Sequence, residues 1–125
     1  MSRFAALLLG ALVLVTACVT DTRPDAELCG RPAIELELAL TADALDPANV
    51  AVCRDQEVTL HVDSEVDGIL HIHGYDSEVP AFAVSPGEVA DITFTAGRSG
   101  QFPVEFHASD DPTGVAVGIF TVHEP

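Results

Sequence analysis

Two histidines, His71 and His73, are separated by one residue within a run of alternating apolar residues. On a β-strand, residues i and i+2 project from the same face about 6 to 7 Å apart, so both imidazoles can converge on one small ion. Imidazole favours Cu(II), Zn(II) or Ni(II), and a third ligand is needed to make a strong site. The spacing therefore predicts a metal site. The open alternative is an exposed pair that binds no ion, with Tyr75 and Asp76 hydrogen-bonding the two rings.

Short strands must position these histidines. Apolar and polar residues alternate with a period of two, and turn residues such as Pro86 and Gly87 separate the runs. The strands are predicted at residues 34–40, 49–53, 57–63, 68–73, 81–84, 89–95, 101–107 and 115–122. Seven or eight strands at this spacing indicate an all-β fold, either a β-sandwich or a closed barrel. The only helix candidate is one turn at residues 41–45, which Pro47 would end.

The negative net charge of the chain limits which macromolecules it can bind. The chain of 125 residues has a formal net charge of -15 and contains no lysine. Nucleic acid is therefore excluded as a partner, because binding a phosphate backbone requires clustered lysine or arginine. The acids are spread along the sequence, which indicates a solvated surface that keeps the protein soluble. The alternative is an electric field that concentrates cations near a metal site.

The N-terminal sequence predicts where in the cell the protein is located. An apolar run from Phe4 ends at Leu-Val-Thr-Ala-Cys, residues 14–18, which resembles a bacterial lipobox. The resemblance implies a signal peptide at residues 1–17, an acylated Cys18 carrying lipid such as palmitate, a tether at residues 18–32 and one domain at residues 33–125. The protein is then extracytoplasmic, in the periplasm or on the cell surface, and anchored to a bacterial cell membrane or outer membrane. The alternative is an ordinary signal peptide that leaves Cys18 as a free thiol.

The two remaining cysteines, Cys29 and Cys53, form an even pair in a chain predicted to be exported. Disulfides persist in oxidising compartments, so we expect these two residues to be bonded. Metal ligation by the pair is the alternative, but no neighbouring Cys or His supplies zinc-like spacing around either residue.

Several segments, taken in order, resemble the cupredoxins, the small Greek-key β-sandwich domains best known for blue copper. The resemblance rests on residues 45–50, 53–60, 67–76, 85–94 and 100–107, which include His71-Ile72-His73-Gly74-Tyr75-Asp76 and the strand that ends at His107. In this family that strand lies next to the first-histidine strand. The resemblance therefore implies His107 as the third ligand, and Asp110 or Asp111 as a further oxygen donor.

One departure from the family changes the expected chemistry. In blue-copper cupredoxins the loop between the last two strands carries Cys, His and usually Met, and the soft thiolate sets the electron-transfer properties. Here residues 106–114 contain neither Cys nor Met, and the single methionine of the chain is Met1. A blue-copper centre and a binuclear thiolate-bridged copper centre are therefore excluded.

We expect a protein whose role is the binding, buffering or delivery of copper, or alternatively zinc. We do not expect an enzyme. There is no Gly-X-Ser-X-Gly motif and no nucleophile and base pair that spacing can establish. His61 is predicted on an outer strand face and His123 at the far end of the last strand, so neither is expected to be a ligand. Two other functions stay open. One is a metal-free interaction domain that docks onto an envelope complex, and the other is an electron-transfer subunit that borrows a ligand from a partner.

Overall fold

The structure is a computed structural model that describes residues 26–125. The predicted signal peptide and the predicted lipidation site at Cys18 lie outside the described residues. The described residues form one short helix and nine strands: α1 (Ala26–Cys29), β1 (Ala33–Leu40), β2 (Leu45–Asp46), β3 (Asn49–Cys53), β4 (Glu57–Ser64), β5 (Gly68–Ile72), β6 (Phe82–Val84), β7 (Val89–Thr95), β8 (Gly100–Ala108) and β9 (Gly114–His123). In residues 26–125, no helix has the length and apolar character needed to cross a membrane.

The strands form two sheets. The four-stranded sheet has the order β2-β1-β4-β7, and the five-stranded sheet has the order β3-β9-β8-β5-β6. The pairs β1–β4 and β3–β9 are parallel, whereas the pairs β5–β8 and β8–β9 are antiparallel. The all-β sandwich expected from the alternating sequence is confirmed.

The core lies between the sheets and follows from the period of two. In β4, for example, Val58, Leu60 and Val62 are buried, while the residues between them are partly or fully exposed. The same alternation in β5 buries Leu70 and Ile72 and turns His71 outward. Burying a large aliphatic side chain stabilises the fold by about 1.5 to 3 kcal/mol. This inward packing fixes which residues of β5 and β8 face the solvent.

Three details differ from the sequence prediction. The short helix α1 (Ala26–Cys29) lies within the predicted tether, where no helix was expected. The eight predicted strands are present, and the ninth is β2, whose two residues are too short to produce a periodic pattern. Residues 41–45 do not form a helix. Instead, the Thr41 amide donates to the Ala44 carbonyl at 2.9 Å, and the Thr41 hydroxyl donates to Asp43 at 3.1 Å, which closes a turn.

The end of the predicted tether is attached to the sandwich. A disulfide joins Cys29 to Cys53, which confirms this pairing. The buried Gln56 side chain donates to the Leu28 and Arg31 carbonyls at 2.6 and 2.8 Å and accepts from the Cys53 amide at 2.7 Å. All three hydrogen bonds of this buried side-chain amide are made to backbone groups. They hold the segment from α1 to β1 against β3.

Candidate metal site

The candidate site lies on the outer face of the five-stranded sheet, where β5 and β8 pair. The register places His71 opposite Glu105 and Ile69 opposite His107. Val104 and Phe106 point into the core, so Glu105 and His107 point outward from β8. The sheet alone therefore brings one carboxylate and two imidazoles together.

His73 joins this group although β5 ends at Ile72. Its backbone amide donates to the Pro103 carbonyl at 2.8 Å, which continues the pairing with β8 for one more residue. The rings of His71 and His73 have centroids 5.8 Å apart. The predicted convergence of the His-X-His pair on one side of the sheet is thus present.

One oxygen, Oε2 of Glu105, is the centre of the cluster. It lies 3.1 Å from Nε2 of His71, 3.8 Å from Nδ1 of His73 and 3.8 Å from Nε2 of His107. Donor atoms of His71, His73 and Glu105 all lie within 4.8 Å of one another, a grouping that could hold a metal ion. The His107 ring lies beside this group, with its centroid 5.1 Å from that of His71.

Two hydrogen bonds orient the imidazole rings. Nδ1 of His107 lies 3.0 Å from the Pro112 carbonyl, and because a carbonyl only accepts, Nδ1 carries the proton and Nε2 faces Glu105. Nδ1 of His71 lies 3.3 Å from a carboxylate oxygen of Asp76, which likewise leaves Nε2 toward Glu105. Partners of this kind fix ring orientation and tautomer in metal-binding histidines.

The segment from Gly74 to Asp76 is anchored by a buried tyrosine. Gly74 has a φ of 79°, and the chain turns there so that the Tyr75 side chain enters the core. The Tyr75 hydroxyl donates to the Arg98 carbonyl at 3.1 Å and accepts from the Arg98 amide at 3.2 Å. Tyr75 therefore does not bond the histidine rings, and burial raises its pKa. Its anchoring places Asp76 against His71.

An arginine clamp supports the same turn. The Arg98 guanidinium donates to the Gly74 carbonyl at 2.6 Å and to both oxygens of Glu78 at 2.6 and 2.9 Å. These bonds lower the pKa of Glu78 to about 2, with a further contribution from the Ser77 hydroxyl. The turn that follows His73 is therefore tied to the loop after β7.

Two glycines make room for the site. A Cβ atom on Gly68 would lie 2.3 Å from the His107 carbonyl oxygen and 2.5 Å from the Phe106 ring, so β5 and β8 could not approach as they do. Gly114 faces His107 across the β8–β9 pair, and a Cβ atom there would lie 2.7 Å from Cε1 and 3.0 Å from Nε2 of that ring. The position of the His107 imidazole depends on the absence of a side chain at residue 114.

The two aspartates suggested as oxygen donors lie in the turn after β8. Asp110 is exposed and lines a surface groove with Ile69, His107 and Pro112, but among the described residues it is not in the converging donor group. Asp111 accepts a hydrogen bond from the Thr113 amide at 2.9 Å, and this bond lowers its pKa. The Asp111 carboxylate is thus engaged in closing the turn.

The two histidines excluded as ligands lie elsewhere. His61 is on β4 in the other sheet, with Nδ1 at 2.7 Å from Asp91 and Nε2 at 3.6 Å from Glu35. The Asp91 hydrogen bond is the main cause of its raised pKa. His123 pairs with Cys53 at the end of β9 opposite to Gly114.

Glu105 and Asp76 belong to the site although the ligand prediction did not include them. The chain has 20 acidic residues, so composition does not distinguish these two. A local signal existed for Glu105, since it precedes His107 by two residues on the same strand and must share its face. Asp76 was named only in the alternative without an ion, as a hydrogen-bonding partner of the rings, and it does contact Nδ1 of His71.

The donor set suits a borderline divalent ion. Imidazole nitrogens favour Cu(II), Zn(II) and Ni(II), and a carboxylate oxygen is compatible with all three. Exposure differs within the group, because the side chain of His71 is 17% exposed and that of His73 is 64% exposed. An ion could therefore reach the site from solvent without a rearrangement of the core.

The fold has counterparts among copper proteins. The blue copper oxidase from Nitrosomonas europaea matches with a TM-score of 0.57 and 16% identity, over 74% of this chain and 39% of that one. The multicopper oxidase from Pseudomonas thermotolerans matches with a TM-score of 0.55 and 16% identity, over 74% and 30%. The copper nitrite reductase from Nitrosomonas europaea matches with a TM-score of 0.54 and 16% identity, over 74% and 42%.

This chain thus spans less than half the length of each of these three structures. No protein-family model and no curated protein sequence matches the chain. At this level of identity the likeness concerns the fold alone, and the sandwich described above is accordingly a cupredoxin-like domain.

Proposed function

We propose that this protein is a lipid-anchored extracytoplasmic domain that binds a copper ion through His71, His73 and His107, for binding, buffering or delivery. The observation that carries the proposal is the convergence of three imidazoles on the single carboxylate oxygen of Glu105. The proposal assigns binding to the site and no catalytic step.

The contacts around the ligands support the proposal. The Pro112 carbonyl and the Asp76 carboxylate engage Nδ1 of His107 and His71, so Nε2 of both rings faces the centre of the cluster. The pairing of β5 with β8 fixes the backbone positions of His71 and His107 before an ion binds. Preorganised ligands of this kind raise metal affinity because little ordering is left to accomplish on binding.

Calorimetric titration of the chain with Cu(II) and Zn(II) tests the proposal. Replacing His71 or His73 with Ala should weaken Cu(II) binding at least about tenfold, and His107→Ala should weaken it comparably. His61→Ala and His123→Ala are matched controls, because these rings lie away from the cluster and should change the affinity little. Cu(II) affinity that is indifferent to His71 and His73 would refute the site and favour the metal-free interaction domain.

The spectrum of the Cu(II) form gives a second readout. With nitrogen and oxygen ligands, we expect weak d–d absorption and no intense band near about 600 nm, which in blue-copper centres requires a thiolate. Affinity should also fall on acidification, because protons compete with the ion for imidazole nitrogens. An intense blue colour would contradict the assigned ligands.

Lipid anchoring is tested separately. In cells, Cys18→Ser should move the protein from the membrane fraction to the soluble fraction and abolish incorporation of labelled palmitate, because the lipobox cysteine is the acylated residue. Continued labelling of this variant would refute the anchor while leaving the metal site unaffected.

A further inference from the structure

We infer that the site selects the oxidised ion Cu(II) over Cu(I), and that Glu105 is the residue responsible for this selection. The inference rests on the proposed function, since it concerns the same cluster. It goes further by assigning the oxidation state of the bound ion and by giving Glu105 a role that differs from that of the histidines.

The first argument is the position of the carboxylate. Oε2 of Glu105 lies within 3.8 Å of a nitrogen of each of the three rings. An ion held among the rings would therefore also meet this oxygen. A carboxylate is a hard, charged donor, and such donors suit divalent ions, whereas Cu(I) prefers soft thiolate or thioether ligands.

The second argument is charge. Asp76 lies behind His71, with its oxygen 3.3 Å from Nδ1, and so places a second carboxylate close to the ion position. The attraction between a carboxylate and an ion is proportional to the ion's charge, so it doubles from Cu(I) to Cu(II) at the same separation. Both carboxylates therefore favour the oxidised ion.

The third argument is the absence of soft donors from the part of the chain that the structure describes. Residues 26–125 contain no methionine, and their two cysteines, Cys29 and Cys53, are joined in a disulfide. Residues 26–125 therefore offer no soft donor that would offset the preference of the carboxylate for Cu(II). The donor set as a whole is hard to borderline, and its selectivity follows from that composition.

Parallel competition titrations test the inference on the full chain purified in detergent. Cu(II) is titrated against nitrilotriacetate, and Cu(I) is titrated under argon with ascorbate against bathocuproine disulfonate. We expect Glu105→Gln to weaken Cu(II) binding by at least about tenfold and Cu(I) binding by less than about twofold. Glu105→Met should weaken Cu(II) and strengthen Cu(I), because the thioether is a soft donor of similar length.

Glu57→Gln is the matched control, because Glu57 is an exposed strand glutamate on the other sheet and should leave both affinities unchanged. Circular dichroism establishes that each variant is folded, and electron paramagnetic resonance should show a changed Cu(II) spectrum in Glu105→Gln. If this substitution weakens both ions equally, or neither, the inference is overturned while copper binding stands. If the native chain binds neither ion, the proposed function fails as well.

Discussion

Replacing Gly114 with Ala displaces a proposed ligand without removing it. The new Cβ atom would lie 2.7 Å from Cε1 of His107, whereas ordinary van der Waals contact begins at 3.4 Å. The ring must therefore move by about 0.7 Å, since Gly114 lies directly opposite His107 in the β8–β9 pair. The substitution removes none of the proposed ligand side chains.

This displacement is larger than the error in ligand position that metal coordination tolerates. A ligand must be held within about 0.5 Å of its productive position to contribute fully. The 3.0 Å bond from Nδ1 to the Pro112 carbonyl, which orients the His107 ring, would be strained by the same movement. We therefore expect Gly114→Ala to weaken Cu(II) binding about tenfold, equivalent to about 1.4 kcal/mol.

The assay is calorimetric titration with Cu(II), together with thermal unfolding to establish that the variant is folded. Gly97→Ala is the matched control, because a Cβ atom there makes only ordinary contacts at 3.9 Å with Glu78. Combining Gly114→Ala with His107→Ala should cause no further loss, because both changes act on one ligand. Unchanged affinity in Gly114→Ala would refute the assignment of His107 as an ordered ligand.

Two further predictions concern stability. Glu78→Gln should lower the free energy of unfolding by about 1 to 2 kcal/mol at pH 7, an amount reduced by solvent screening of the exposed Arg98. The pKa of Glu78 is lowered from 4.5 to about 2, so its contribution is present above about pH 4.5 and is lost as the pH falls toward 2. Urea unfolding at pH 7, 5 and 3 should therefore show a smaller pH dependence in the variant than in the native chain. Reduction of the Cys29–Cys53 bond, which spans 24 residues, should lower the unfolding free energy by about 3 kcal/mol through loop-closure entropy. Thermal melts with and without reductant check this, and identical melting temperatures would contradict it.

The fold could be predicted because its information is local. Long strands such as β4 alternate buried and exposed residues, as in Val58, Leu60 and Val62, and this period is visible in the sequence itself. In β9 the alternation is interrupted after Val117, where the pairing with β8 shifts register. The predicted helix at residues 41–45 was wrong for an equally local reason. The hydroxyl of Thr41 bonds within its own turn, and this closes the chain before a helix can form.

The site was less predictable because its information is not local. The same-face pairing of His71 and His73 needs only the strand period, but the contact of His71 with Glu105 needs the register between β5 and β8. That register depends on packing of the whole sheet, since a slip by one residue would turn Glu105 inward. The orientation of His107 depends on the Pro112 carbonyl, a backbone group that residue types do not reveal.

The loop between β8 and β9 accounts for the difference between this site and a blue-copper centre. In the blue-copper proteins that the sequence resembles, this loop supplies the thiolate. Here the Asp111 carboxylate accepts a hydrogen bond from the Thr113 amide, and the Pro112 carbonyl between them meets Nδ1 of His107. The loop thus supplies a backbone acceptor that orients the ring of His107, one of the ligands of the proposed site. The proposed position for an ion therefore lies on the sheet face, where Oε2 of Glu105 is 3.8 Å from Nε2 of His107.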